Sequence, residues 1–289
     1  MLIYNQELIP VDYFEIEKKN RQHFKQARKV VVKAGSNVVT TDSDLDVEVM
    51  NCISKELSDL AKGGFTQGDP VNVVYVSSGA EKAAMHSYGM TEKVQEMATR
   101  RHLCGVGQTL LMEKYHELFG NWGQRVGMAW PTWTDVDNKL RETLEIGWKP
   151  EMGNTIYVLN YNDPLDDREL RAENKGGGND DLAARVASLV NADLLIILTD
   201  TDGLYNQNPK VNPNSELITR VVSIDQGLLE MTGDGNGFGE SKGGMRYKIH
   251  TRDHYDGDIV IANGRVTKGR YNIIHDIFSG ELVGTYIQK

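Results

Sequence analysis

Asn174-Lys-Gly-Gly-Gly-Asn-Asp-Asp-Leu-Ala-Ala-Arg-Val-Ala-Ser-Leu-Val190 runs on into Asn191-Ala-Asp-Leu-Leu-Ile-Ile-Leu-Thr-Asp-Thr-Asp-Gly-Leu-Tyr205. A glycine-rich turn, a helix, a strand and an acidic turn follow one another in these residues. Leu182, Val186, Leu189 and Val190 recur at the i, i+4, i+7 and i+8 positions of a single helical face. Leu194 to Leu198 is an unbroken aliphatic run, the mark of a parallel strand covered on both faces. Asn179 and Asp180 open the helix, where unpaired backbone N–H groups and the helix dipole favour anionic groups. Thr199-Asp-Thr-Asp-Gly203 leaves the strand at its carboxyl end, where open α/β sheets place ligands.

Outward from this unit the same alternation repeats. Strands are predicted at 29–33, 72–76, 126–130, 155–159 and 259–262, with helices at 45–62, 93–119 and 134–146 between them. Gly63-Gly64 ends the first of these helices. The pattern predicts an α/β fold, a three-layer sandwich with a mostly parallel central sheet and helices on both faces. The stretch 280–287 reads as a closing hairpin strand. Residues 1–28 form an N-terminal extension whose part from 11 to 28 is weakly helical, packed on the domain or on a neighbouring subunit.

The 289-residue chain has a formal net charge of −9. That balance argues against a general nucleic-acid or anionic-membrane binder, because neutralising phosphates takes a basic surface. A small anion in a local basic pocket remains compatible with it. No apolar run approaches the ~18 residues of a membrane span, and no basic stretch leads into a hydrophobic one at the N-terminus. Cys52 and Cys104 fall in helical patterns without disulfide or zinc spacing. A cytoplasmic protein is expected.

Nearly every predicted strand ends in small or polar residues: Gly35-Ser36, Ser77-Ser78-Gly79, Asn160 to Asp163, Thr199 to Asp202. In a parallel sheet these ends share one edge, and chemistry is expected there. Gly35 lets the backbone approach a phosphate, and Lys33 supplies a point charge beside it. Ser77-Ser78-Gly79-Ala80 offers hydroxyls and helix N-terminal N–H groups, although simple capping is the plainer reading. Asn160, Asn162 and Asp163, with Asn179 and Asp180, make a polar cluster suited to an ammonium group and to orienting lysines. Gly243-Gly-Met-Arg-Tyr-Lys248 opens a further helix, on which Lys248, taken alone, reads as a solvated surface lysine. The seven histidines show no metal-ligand spacing, and His250 and His254 are expected on a solvated helix face.

In chain order Val-Val-Lys-Ala-Gly-Ser, Val-Ser-Ser-Gly-Ala, Asn-x-Asn-Asp, Gly-Asn-Asp-x-Leu-Ala-Ala, Leu-Thr-Asp-Thr-Asp-Gly-Leu-Tyr, Gly-Gly-Met-x-x-Lys and Ile-Ala-Asn-Gly resemble the amino-acid kinase family. The likeness is to its glutamate-phosphorylating branch and covers the chain from Lys29 to Thr285. It implies transfer of the γ-phosphoryl group of ATP, with Mg²⁺, to the side-chain carboxylate of L-glutamate. A carboxylate is already ionised at neutral pH and needs no general base, so catalysis reduces to positioning and charge neutralisation.

Lys33, Asp180 and Lys248 would then be the catalytic residues, the lysines on the transferring phosphoryl group and Asp180 between them. Gly35, Ser36, Ser78, Gly79, Ala80, Asn160, Asp163 and Asn179 would take the acceptor side. Thr199, Asp200, Asp202, Tyr205, Gly243, Gly244 and Met245, with the two lysines, would take the nucleotide. No protein ligand for the metal is assigned.

The resemblance also implies an acceptor part over about 29–180 and a nucleotide part over about 181–289 of one kinase domain, 29–289. It further implies a homo-oligomer, dimer or tetramer, and a glutamyl-phosphate reductase as partner enzyme. The C-terminal RNA-binding-like (PUA) domain of many bacterial members is not expected. The chain departs from the family pattern at Tyr161 and Gly178, where acidic residues are usual, and at Lys242, where a small one is. Those departures favour an acceptor with more negative charge or without a free amine. They leave open a different carboxylate or phosphate acceptor, or a regulatory binder without turnover.

Overall fold

The structure, a computed structural model, describes residues 2–3, 11–42, 44–171, 178–207, 209, 212–224, 226, 228, 245–265 and 272–289. Lys242, Gly243 and Gly244 lie outside the described residues. In chain order the elements are β1 (Leu2–Ile3), α1 (Val11–Arg21), a 3-10 turn (Gln22–Gln26), β2 (Lys29–Ala34), α2 (Ser36–Val39), α3 (Val47–Ala61) and β3 (Asn72–Ser77). Then come α4 (Ala80–Ser87), α5 (Met97–Asn121), β4 (Val126–Ala129), α6 (Asn138–Gly147), β5 (Ile156–Leu159), α7 (Arg168–Arg171) and α8 (Asn179–Leu189). The chain closes with β6 (Leu194–Thr199), β7 (Ile218–Val221), α9 (Met245–His250), β8 (Asp258–Asn263), α10 (Ile273–Ser279) and β9 (Thr285–Ile287).

The strands form one nine-stranded sheet in the order β1-β7-β9-β8-β6-β2-β3-β5-β4. From β8 to β4 every pairing is parallel. The predicted three-layer α/β sandwich is what this topology builds. Successive side chains on a strand point to opposite faces, and both faces are covered, so most of them are apolar. Val30, Val32, Tyr75, Val158, Ile196 and Leu198 join one buried cluster with α3, α5 and α10. Val31, Val74, Val76, Leu159, Leu195 and Ile197 join the other with α6 and α8. Odd-numbered residues of β2 therefore face α8, and odd-numbered residues of β3 face α5. This parity decides where each site side chain goes.

Helix starts follow their caps rather than the first apolar residue. Asp137 accepts from Lys139 N at 2.9 Å, so α6 begins at Asn138 and not at 134. Glu96 accepts from Thr99 N at 2.7 Å and opens α5, four residues later than the apolar pattern suggests. Two further expectations are corrected. The stretch 280–287 is no hairpin, because β9 enters after α10 and lies between β8, to which it is antiparallel, and β7, to which it is parallel. His250 and His254 do not share a helix face, since α9 ends at His250 and a 3-10 turn, Thr251–Asp253, follows.

Candidate active site

The parallel registers bring the polar strand ends to one edge. Ala34 is level with Ser77 on one side and Leu198 on the other, Val76 with Leu159, and Thr199 with Asn263. Lys33 shares the parity of Val31 and so points to the α8 layer. There its Nζ lies 2.6 Å from Asp180 Oδ1, in the first turn of α8. Lys248 on α9 reaches the other oxygen, with Nζ 3.7 Å from Asp180 Oδ2. All three side chains are buried, which overturns the solvated-surface reading of Lys248 taken alone. Three buried charges, two positive and one negative, leave a net positive spot that favours an anion.

Burial alone would push the Asp180 carboxyl up, but the two ammonium groups beside it outweigh this and hold it below the ordinary 3.8. Burial, helped by the charge of Lys33, lowers Lys248 below the ordinary lysine value of 10.5, although Asp180 and Asp200 pull the other way.

Gly35 precedes α2, and a Cβ built there would lie 3.4 Å from Lys33 Nζ. Its side-chain-free surface thus keeps the approach to the lysine open. Ser36 begins α2, and its carbonyl accepts from Thr40 Oγ1 at 2.8 Å. The Ser78 turn is tied to the same strand end through Ser78 N and Ala34 O at 3.1 Å. Gly79 has φ +111, a left-handed conformation that glycine alone adopts readily, and Ala80 then starts α4.

On the next strand parity separates two neighbours. Asn160 follows Val158 toward α5, where its Nδ2 donates to Gln108 Oε1 at 3.1 Å. Tyr161 follows Leu159 to the other face, where it is buried and its hydroxyl donates to Asp166 Oδ2 at 2.8 Å. Tyr161 N donates to both Asn160 Oδ1, at 2.9 Å, and Asn179 Oδ1, at 3.2 Å. The end of β5 is thereby joined to the N-terminus of α8 beside Asp180. Asp163 is buried in the same loop.

At the end of β6 Thr199 is buried, and its hydroxyl donates to Asp200 Oδ1 at 3.3 Å. Asn37 Nδ2 donates to Asp200 Oδ2 at 3.2 Å and links the Gly35 turn to this loop. Asp202 and Tyr205 form a second group. Asp202 accepts from Tyr205 OH at 3.1 Å and from Asn263 Nδ2 at 2.9 Å. Burial, with the Asp202 charge beside it, pushes the Tyr205 phenol up to about 12. Met245 begins α9 and is the first described residue after Gly244.

A match to the amino acid kinase family model spans residues 28–251. The chain belongs to the amino acid kinase family. It is 34% identical over 269 residues to the glutamate 5-kinase of Thermus thermophilus, covering 90% of this chain and 67% of that protein. It is 31% identical over 287 residues to the glutamate 5-kinase of Ligilactobacillus salivarius, covering 95% of this chain and all, 100%, of that protein. Among solved structures, an isopentenyl phosphate kinase from T. acidophilum superposes with a TM-score of 0.56 at 18% identity, over 90% of this chain and 100% of the other. The UMP kinase of Bacillus anthracis superposes with a TM-score of 0.59 at 13% identity, over 91% of this chain and 96% of the other. These two likenesses concern the fold.

Within this amino acid kinase framework the sequence reading missed Gln108 and Asn37. Gln108 is buried, and its second amide arm donates to Tyr161 O at 2.9 Å, so the side chain braces the whole Asn160–Tyr161 corner. A signal existed. Gln108 interrupts the apolar stripe of Cys104, Leu111 and Tyr115 on α5, and a polar side chain on a buried face must find partners. Among the described residues no group of three or more His, Cys, Asp or Glu is placed to hold a metal ion. Mg²⁺ in nucleotide sites takes one or two carboxylates, completed by phosphate oxygens and water. Asp200 is a carboxylate of that kind at the strand edge.

Proposed function

We propose that this chain transfers the γ-phosphoryl group of ATP to the side-chain carboxylate of L-glutamate, giving L-glutamyl 5-phosphate. The observation that carries the reading is the buried contact of Lys33 and Lys248 with the two oxygens of Asp180, at a sheet edge lined by glycine turns. A glutamate carboxylate is ionised at neutral pH and attacks the γ-phosphorus directly. The bond from that phosphorus to the β,γ-bridging oxygen breaks, and ADP leaves with the electron pair. Charge spreads over the oxygens of the transferring group, where fixed cations and backbone N–H groups stabilise it.

Lys33, next to the Gly35–Ser36 turn, is suited to bridge acceptor and donor, and Lys248 to follow the β- and γ-phosphates. Asp180 holds both ammonium groups in place and accepts no proton. Mg²⁺ bound with ATP would neutralise phosphate charge. Ser78, Gly79, Ala80, Asn160, Asp163 and Asn179 take the acceptor, within an acceptor part of about 29–180. Thr199, Asp200, Asp202, Tyr205, Gly243, Gly244 and Met245 take the nucleotide, in a part of about 181–289. The wider setting we propose is a cytoplasmic homo-oligomer at the first step of proline biosynthesis, passing its labile acyl phosphate to a glutamyl-phosphate reductase.

The test is ADP release from Mg-ATP with L-glutamate, N-acetylglutamate, aspartate or buffer alone, with hydroxylamine present to trap acyl phosphate. Hydroxamate from glutamate alone is the expected result. Turnover with another acceptor and none with glutamate would move the substrate and leave the phosphoryl-transfer centre intact.

A further inference from the structure

A file of buried hydroxyls leads from inside the sheet to the peptide between Ser78 and Gly79. Tyr75 and Ser77 have the same parity on β3 and both face α5. Tyr75 OH lies 2.9 Å from Tyr115 OH on that helix. Tyr115 OH lies 2.7 Å from Ser77 Oγ, and Ser77 Oγ lies 3.0 Å from the carbonyl oxygen of Ser78. All three side chains are fully buried. Helix α5 can come this close because Gly107 passes directly over the first residue of α4, where a Cβ would lie 1.7 Å from Ala80 O.

The direction of these bonds is fixed by counting protons. Each hydroxyl has one, and a carbonyl only accepts. Ser77 must therefore donate to Ser78 O, Tyr115 to Ser77, and Tyr75 to Tyr115. Burial pushes the Tyr115 phenol up to about 12 and that of Tyr75 well above its ordinary 10.0, so both keep their protons at any physiological pH.

A trans peptide is planar, with its C=O and N–H on opposite sides. Holding Ser78 O inward on Ser77 turns the N–H of Gly79 the other way. On that side no described residue accepts from it. The plane is confined from across as well, since a Cβ at Gly79 would meet Val39 Cγ2 at 3.1 Å and Thr40 Cγ2 at 3.3 Å.

We infer that Tyr75, Tyr115 and Ser77 are a positioning relay that fixes the Ser78–Gly79 peptide so that the Gly79 N–H is presented to a carboxylate of the acceptor. None of the three touches the reacting atoms. The inference rests on the proposed kinase reading, in which this turn takes the acceptor.

The experiment compares the full chain with its Ser77→Ala, Tyr115→Phe, Tyr75→Phe and Ser77→Thr variants, measuring kcat, KM for glutamate, KM for ATP and Tm. Ser77→Ala is expected to raise KM for glutamate about tenfold, the equivalent of one hydrogen bond. Tyr115→Phe, which preserves shape, should raise it severalfold, and Tyr75→Phe least, because Tyr115 can still donate to Ser77. KM for ATP should stay within about twofold throughout, and Ser77→Thr, which keeps the hydroxyl, should recover glutamate affinity. A fall in Tm with KM for glutamate unchanged in both Ser77→Ala and Tyr115→Phe would overturn the relay, as would the two KM values rising in step. A wild-type chain that makes no acyl phosphate from glutamate overturns the kinase reading and the relay with it.

Discussion

Asp180 stands between two ammonium groups, and its removal acts on each of them differently. In Asp180→Asn the short contact with Lys33 is lost and two like charges remain in a buried space, with Asp200 still pulling on Lys248. We predict a loss of about 10²–10³ in kcat, the usual cost of removing one element of a preorganised charge site. The pH profile separates this from simple damage. Lys248 is already held below the ordinary lysine range by burial, and Asp180 is the nearest group opposing that effect. The alkaline limb of kcat should thus lie below 10.5 in the wild type and move further down in Asp180→Asn. A limb that moved upward would show that the carboxylate does not hold the proton on Lys248. Lys248→Ala should lower kcat by a similar factor while leaving KM for glutamate within about threefold, because it removes a contact made chiefly in the transition state. Lys33 and Asp180 were legible in the sequence, since a strand end and a helix start fix their places locally. The burial of Lys248 was not. It depends on α9 folding back onto α8, a contact about seventy residues apart in the chain that no local pattern encodes.

Among the helices, α3 and α10 are coupled through one buried carboxyl. Glu56 on α3 accepts from His275 N at 2.9 Å, so its side chain stands at the N-terminus of α10. Burial raises its pKa to about 7, against the opposing pull of the α10 backbone N–H groups. The folded state therefore holds this proton more tightly than the unfolded chain does. Its contribution to stability is complete below the ordinary 4.5 and is lost as pH rises through about 7. Over that window the loss is on the order of 3 kcal/mol. Glu56→Gln should remove it, so that wild type and variant converge near pH 5 and the variant is the more stable at pH 8. Urea unfolding at the two pH values measures this, and a constant difference between the proteins would reject the titration of Glu56. The central strands and the long helices were legible because their apolar patterns run long enough to outweigh single polar interruptions such as Gln108 on α5. Strand β7, Ile218-Thr-Arg-Val221, was not, because its pattern is short and mixed and its pairing with β9 and β1 is supplied by distant segments.

Across the whole molecule, the question is whether residues 1–28 are an appendage or part of the cooperative unit. The sequence reads them as an extension, because their apolar residues are sparse. In the structure Arg21, the last residue of α1, is completely buried. Its guanidinium donates to Val283 O at 2.6 Å and to Thr219 O at 2.7 Å, on the segments that lead into β9 and form β7. Glu17, also buried, pairs with Arg220 of β7 at 3.1 Å. A helix from the start of the chain thus satisfies backbone carbonyls near its end, and those strands close the sheet beside β8. Arg21→Met keeps much of the aliphatic length and removes the donors, leaving buried carbonyls without partners at about 1–3 kcal/mol each. We predict a global destabilisation of about 3 kcal/mol or more, read as a lower urea midpoint with an unchanged m-value. Hydrogen exchange locates the effect. If the extension belongs to the cooperative unit, protection falls in β9 and β7 as much as in α1. If the midpoint holds and only residues 11–26 exchange faster, the helix is a separable appendage and the domain begins at β2. In the first case the same variant also reaches the active-site edge, since β9 is hydrogen-bonded to β8, whose last residue, Asn263, binds Asp202. KM for ATP should then rise more than KM for glutamate, because the acceptor turns lie on the far side of β6 from the disturbed strands.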